Sequence, residues 1–550
     1  MFFSRRNFLR YLLPSIFIAE TSINNSSASA NEASDIPIKG KTRYVSPLDY
    51  KNKIQSSDDT EAINSAIRDA IQKNYCLDLR GGPWRIKKSI DLTEVKSIIT
   101  DWSGRILVNS DDFQCDNNSG FSVTIGNPEL SYKKGRANYT QVLGLLCIIS
   151  ENRNKPLNGL YIKGSLLNFD SIRIIGFNGN GLNLSSVWDS TFSSISCELC
   201  GNIDKYQIDI NSGGDTSNCL AIERIQSERA FHKCLYINAI RSTFNTIHAE
   251  RTTILTKNDG SQLSSPLKYT NISITLSNGV INQIIHDTST QISDLGPHEI
   301  IAGNKSSISI NLVNTVLNSA LMSNCILSTS IASRSKFNAV ICESWYFGNT
   351  KNITDSSINC SKVDKVISLS KNISLRDSSI SSLTIIKNSQ NILIDKCNVE
   401  ALNINESVLG DIIFRSCSFP ATMVLGETGK GKSAEVTVSN RLPVTFSDCT
   451  FLGIITGETF SQAIFRGGYI ERVNLASQFI GQFYNVQINR FNYSGIPTFI
   501  TNQCVIAKVD SWGPPENLIA PIGIRTERPG IETKNTFISQ GVSGKWESEP

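Results

Sequence analysis

Phe192-Ser193-Ser194-Ile195-Ser196-Cys197-Glu198 decides how this chain is read, because its pattern returns four more times. An aromatic or Ile is followed three residues on by Ile or Val, and three further on by an acid. The other copies are Ile222–Ile225–Glu228, Phe244–Ile247–Glu250, Ile281–Ile284–Asp287 and Phe337–Val340–Glu343. The residue before the acid is small at Cys197, Ser227, Ala249 and Cys342, with His286 the exception. Downstream a second register takes over, apolar-x-apolar-x-x-Cys/Ser-x-apolar. It runs through Ala320–Met322–Cys325–Leu327, Ile373–Leu375–Ser378–Ile380, Ile392–Ile394–Cys397–Val399, Ile412–Phe414–Cys417–Phe419 and Val444–Phe446–Cys449–Phe451. Ser378, Cys397 and Cys417 are 19 and 20 residues apart, and Glu228 and Glu250 are 22 apart. Units this short cannot close a core alone, so neighbours must stack on them. The pattern predicts an all-β chain folded as a right-handed parallel β-helix, with equivalent positions about 4.8 Å apart. The recurring acid then forms a line along one face.

Composition agrees with a secreted, β-rich chain. The 550 residues carry 53 Lys and Arg against 49 Asp and Glu, a net +4. That is too weak a bias to argue for nucleic acid or an anionic membrane. Fourteen cysteines would suit a disulfide framework, but several fill the small slot of a repeat, where a thiol is a compact apolar filler. They are expected to be buried and unpaired. Cys197 and Cys200 lack a second pair at zinc-site spacing, so no metal site is expected.

The termini and cap set the domain organisation. Ser4-Arg5-Arg6-Asn7-Phe8-Leu9-Arg10 resembles a twin-arginine export motif, the apolar run Tyr11 to Ala19 follows, and Ala28-Ser29-Ala30 offers a cleavage site. Residues 1–30 are read as this signal, or as an uncleaved anchor, and 31–56 as a linker. Residues 57–130 are read as the cap and first coils, 131–455 as the β-helix, and 456–550 as a C-terminal β-region with an irregular tail. The cap should begin with a helix opening at Asp58, with Glu61 completing a capping box and Ile63, Ala66, Ile67, Ala70 and Ile71 forming its apolar stripe.

The run Asp58-Asp59-Thr60-Glu61-Ala62-Ile63-Asn64-Ser65-Ala66-Ile67, the strand and Gly81-Gly82-Pro83 turn after it, and the repeated rungs resemble the pectate-lyase-like β-helix superfamily. Within it the chain is most similar to bacteriophage tailspike-type depolymerases, over roughly residues 57–455. Ser186-Val187-Trp188-Asp189-Ser190-Thr191-Phe192, running into Cys200-Gly201-Asn202, is similar to such spikes as well. The resemblance implies a protein that binds and cuts a bacterial capsular polysaccharide, a homotrimer, and attachment to other phage tail proteins through the N-terminus. An export signal departs from that pattern, because a virion protein needs none; a twin-arginine-exported bacterial lyase or hydrolase, or a non-catalytic β-helix adhesin, stays open beside it.

A glycan-cutting site needs two carboxylates, or a base with a cation for a uronate. Glu228 and Glu250 are one repeat apart, which stacking places near the roughly 5–5.5 Å separation of retaining glycosidases. They are the candidate catalytic pair, with His248 as a candidate lyase base. Neighbouring acids raise one another's pKa, which favours a proton donor. Arg229 and Arg251 are candidates to hold an acidic bacterial polysaccharide through bidentate hydrogen bonds. Glu198, Asp287, Trp188 and Asp189 are further candidates for substrate binding. The competing reading is a charge-balanced surface of Glu and Arg. Gly426-Glu427-Thr428-Gly429-Lys430-Gly431-Lys432-Ser433 fits the phosphate-loop pattern letter for letter. The strand-like residues after it supply no helix N-terminus, so no nucleotide and no cofactor are expected.

Overall fold

The computed structural model describes residues 43–52, 58–211, 215–231, 233–250, 272–287, 306–322, 325–347, 353–354, 356–359, 362–367, 371–385, 389–404, 411–420, 423–425, 436–438, 444–457, 462–475, 480–493, 498–510, 525–529, 534–539 and 546–548. The export segment, Arg251 and the Gly426–Ser433 loop lie outside these residues.

The chain is a right-handed parallel β-helix. Among the described residues two helices, α1 (Leu48–Lys51) and α2 (Thr60–Lys73), precede the stack. The strands that build the acid-bearing coils are β1 (Asn158–Ile162), β2 (Asn168–Ile175), β3 (Leu182–Leu184), β4 (Trp188–Glu198), β5 (Ile208–Ile210), β6 (Ser217–Glu228), β7 (Leu235–Ile240), β8 (Thr243–Glu250), β9 (Ile272–Ser277) and β10 (Val280–Asp287). The long strands β2, β4, β6, β8 and β10 pair in parallel in that order, and the strands β1, β3, β5, β7 and β9 pair likewise on another face.

Register follows from side-chain alternation, since a one-residue slip would turn every apolar side chain outward. Ile172, Ile195, Ile225, Ile247 and Ile284 lie opposite one another in sequence order, and all are 0% exposed. The aromatic row Phe169–Phe192 stacks at 5.1 Å. β-Branched residues suit this packed, pleated surface. Corners recur as well: Asp189, Cys219, Arg241, Asn278, Asn314 and Arg334 all adopt a left-handed backbone with φ between 47° and 55°. At another corner Asn245 donates to Glu223 (3.0 Å), Asn282 to Asn245 (2.9 Å), and Asn318 to Asn282 (2.8 Å). Amide side chains thus tie successive coils together at the solvent edge.

The cap differs in detail from its sequence reading. α2 starts at Thr60, and its N-cap is Asp59, whose side chain makes no capping bond. Asp59 instead accepts from the Arg85 amide (2.9 Å) and pairs with Lys51 (2.8 Å), while Asp58 accepts from the Thr60 amide (2.8 Å). Glu61 pairs with Arg68 rather than closing a capping box. Ile63, Ala66, Ile67 and Ala70 are buried in the same core as Leu77, Leu79 and Trp84, and Ile71 is exposed.

Downstream, Cys325, Cys397, Cys417 and Cys449 are buried and free of disulfides, as their slot predicts. The stack does not stop where the sequence period fades. Parallel pairing continues through Val505–Asp510, and only then does an antiparallel ribbon follow, from Arg525–Pro529 to Lys534–Ser539 to Trp546–Ser548. The small slot is still present there: the Tyr469 amide bonds to Cys449 O, Gln487 to Gly468 O, and Val505 to Val486 O. Gly468 has φ +84°, and a Cβ on it would lie 2.1 Å from Cys449 O, so this coil excludes the usual Cys or Ser.

Candidate functional site

The acid row forms as the spacing predicts. Glu198 lies opposite Glu228, Glu228 opposite Glu250, and Glu250 opposite Asp287 on consecutive parallel strands. Positions two residues apart share a strand face, so the row Arg173–Ser196–Gln226–His248 runs beside it on the same side. The Glu198, Glu228 and Glu250 side chains are 20%, 21% and 21% exposed, sunk among their neighbours but open to solvent.

Cations hold the row. Arg173 pairs with Glu198 at 3.4 Å. Arg229 follows Glu228 in a left-handed conformation, φ 52°, and its amide donates to Glu250 O at 3.1 Å. That turn leaves its guanidinium 3.7 Å from Glu198 and 3.9 Å from Glu228. His248 Nε2 is 3.6 Å from Glu250 Oε2. The Glu198 end is therefore met by two arginines, and the Glu250 end by an imidazole. Neighbouring strands stand about 4.8 Å apart, so the backbones of Glu228 and Glu250 are one strand spacing apart and those of Glu198 and Glu250 two.

Other predicted residues are placed differently. Asp287 continues the row by its backbone register. Trp188 and Asp189 lie at the other end of β4 from Glu198 and are not brought to the acids. Trp188 carries the Arg136 guanidinium 3.6 Å from its ring centre and donates to Thr216 O at 3.3 Å, while Asp189 is an exposed corner residue.

An unforeseen residue flanks the row. Trp102 is 48% exposed, and Arg173 lies 5.6 Å above its ring. This exposed aromatic ring, with Arg173 and Arg105 each 5.6 Å from its centre, combines apolar and polar character, the combination that suits a sugar ring and its hydroxyls. Its signal in the sequence was faint, because it sits in the turn between the strands Ser97–Thr100 and Ile106–Val108 and outside the repeat. No group of His, Cys, Asp and Glu with the geometry of a metal site occurs among the described residues.

Comparison with known proteins gives one similarity of use. Over 101 residues, 18% of this chain, the sequence is 31% identical to a capsule KN4-specific depolymerase of Klebsiella phage KN4-1. The matched stretch covers 11% of that protein's length. No family model matches the chain.

Proposed function

We propose that this protein is a glycan-binding depolymerase that recognises and cleaves a bacterial capsular or other surface polysaccharide. The observation that carries the reading is the in-register row Glu198–Glu228–Glu250 with Arg173, Arg229 and His248 against it. A phage relative named as a capsule depolymerase supports it, as does the β-helix fold. In this reading Glu228 and Glu250 act as the acid–base or acid–nucleophile pair. Arg229 and Arg173 draw an acidic sugar to the row, and Trp102 supports the ring of a neighbouring unit. His248 serves as the base if the chemistry is β-elimination.

A second reading is favoured by the same ion pairs. Arg173 and Arg229 balance Glu198 and Glu228, which is what a non-catalytic glycan-binding surface would show. The two are separated by incubating the protein with a panel of purified capsular polysaccharides. Release of reducing ends, with or without the ultraviolet absorbance of an unsaturated uronate, supports cleavage. Retention of a polymer without product supports the binder.

A further inference from the structure

The coils beyond residue 455 carry a second charged row, of the opposite sign. Strands β11 (Tyr469–Leu475), β12 (Gln487–Tyr493) and β13 (Val505–Asp510) stack in parallel. Arg472 lies opposite Arg490, and Arg490 opposite Lys508. Ile470 and Val473 of β11, with Ile488 and Phe491 of β12, are buried in the core. Arg472 and Arg490, set between these pairs, therefore face outward. Arg490 is exposed and Arg472 half-buried. Neighbouring strands stand about 4.8 Å apart, so the two guanidiniums start from adjacent rungs. Like charges directly opposite one another on a sheet are destabilising. Earlier coils avoid the arrangement: Arg173 lies opposite Cys147 and Ser196, Arg224 opposite Ser194 and Thr246, and Arg415 opposite Asp395.

The fold supplies this row with no counter-charge of its own. Among the described residues neither Arg472 nor Arg490 makes a hydrogen bond or an ion pair. Arg472 Nε is enclosed without a partner, which leaves the terminal nitrogens as the part of that guanidinium open to solvent. The adjacent acid, Glu471, accepts from the Tyr469 hydroxyl and from Asn489 Nδ2 (2.8 Å). Those two bonds hold its carboxyl below the usual carboxylate range, and Arg490 adds a smaller attraction from beyond ion-pair distance. One engaged carboxylate thus stands beside two guanidiniums, with Lys508 next in the row by backbone register. A guanidinium presents paired N–H groups that match the oxygens of a carboxylate or a phosphate. Two of them on adjacent rungs, both open to solvent, can close on one such group.

We propose that Arg472 and Arg490 form an anion-binding site, separate from the acid row, that takes the carboxylate or phosphate substituents of an acidic polysaccharide. It rests on the reading of this chain as a glycan-binding protein, and not on cleavage by the acid row. Many coils lie between Glu250 and Arg472, so the site holds the polymer and not the reacting sugar. A single row at strand spacing suits a linear polymer lying along the stack. Nucleic acid is disfavoured, because a net charge of +4 gives the chain no general attraction for polyanions.

The test uses the full chain with Glu228→Gln and Glu250→Gln, so that the polymer stays intact, in gels cast with purified capsular polysaccharides. The panel holds uronate-bearing, phosphate-bearing and neutral polymers. Retardation by an acidic polymer is expected, and the arm in which it occurs names the oxyanion. Arg472→Ala with Arg490→Ala should weaken it at least tenfold in apparent Kd, and Arg490→Glu alone, at the exposed position, should do the same. Arg466→Ala, an exposed arginine of the same coil, should leave it unchanged. Thermal unfolding of the double variant should be unchanged or shifted upward, since a like-charge contact is removed. Unchanged retardation in the well-folded double variant and in Arg490→Glu overturns the proposal. Retardation of the parent by neutral polymers only, by no polymer in the panel, or by duplex DNA as strongly as by polysaccharide overturns it as well. Absence of cleavage products from the unsubstituted protein, with arginine-dependent retardation intact, would instead count against the depolymerase reading alone.

Discussion

Glu228 and Glu250 are direct partners across one parallel strand pair, with Arg229 between the first of them and Glu198. If the pair performs the chemistry, Glu228→Gln and Glu250→Gln should each lower turnover by about 100-fold or more, the scale of a lost general acid or base. Binding should largely persist. Initial-rate measurements on the true polysaccharide decide it, and wild-type rates in both variants would make the row a charge-balanced surface.

Trp102 stands exposed beside Arg173. Trp102→Ala should weaken polymer binding several-fold, on the order of 1 kcal/mol for a lost aromatic contact, with the rate at saturation little changed. A fall in kcat with KM untouched would exclude the platform role.

Stability should depend sharply on the downstream aromatic row. Phe446 stacks on Phe414 at 5.1 Å and on Phe465 at 5.2 Å, and Phe465 on Phe483 at 4.9 Å. Phe446→Ala removes a ring with about 1% exposure from a close-packed row, and should cost about 3–5 kcal/mol. Denaturant unfolding of the variant measures this; a loss below about 1 kcal/mol would show that the coils repack freely.

Asp395 provides a pH test. Arg415 reaches both its carboxylate oxygens, at 2.7 and 3.0 Å, and holds its pKa below the ordinary value. A carboxyl depressed on folding adds stability above its unfolded pKa of about 3.9, and this is lost as pH falls through the folded value. Asp395→Asn should therefore destabilise the protein at neutral pH by about 1–2 kcal/mol, a range set by the half-exposed arginine. The difference from wild type should shrink below about pH 4. Thermal melts across pH check both limbs, and a pH-independent difference would refute the linkage.

Thiol titration gives a simple readout of the core slots. Cys115 is exposed, while Cys147 and Cys200 are buried, and burial pushes each of their thiols up to about 11. Cys115 should react with a thiol reagent near neutral pH and the buried cysteines only after denaturation. Rapid labelling of Cys397 or Cys417 in the folded protein would contradict the packing.

The fold and the acid row were legible because both are written in strand alternation. Ile195, Ile225 and Ile247 fix which side faces in, and that places Glu198, Glu228 and Glu250 on the other side in a line. What lay outside the repeat could not be read this way. Trp102 and Arg136 sit in turns, and only stacking brings them to strands distant in sequence. The coils after residue 455 were hidden for another reason. Gly468 and Val486 stand where Cys or Ser marked the earlier rungs, although Phe465 and Phe483 continue the aromatic row. The cap reading failed at Asp58 and Glu61 because the helix begins one residue later than read: Asp59 is its N-cap and is engaged by Lys51 and the Arg85 amide, while Glu61 pairs with Arg68 on the same helix.

The chain of amides at the solvent corner has a direction. Each asparagine offers its N–H groups to the preceding coil and its carbonyl to the next, from Asn245 through Asn282 to Asn318. The side-chain dipoles therefore add head to tail along the stack, with the positive end toward the earlier coils, as peptide dipoles add in an α-helix. Glu223, which can only accept, sits at that positive end. The series thus begins with an anion, as a helix favours one at its N-terminus, and Glu223→Lys would meet the oncoming donors with donors of its own.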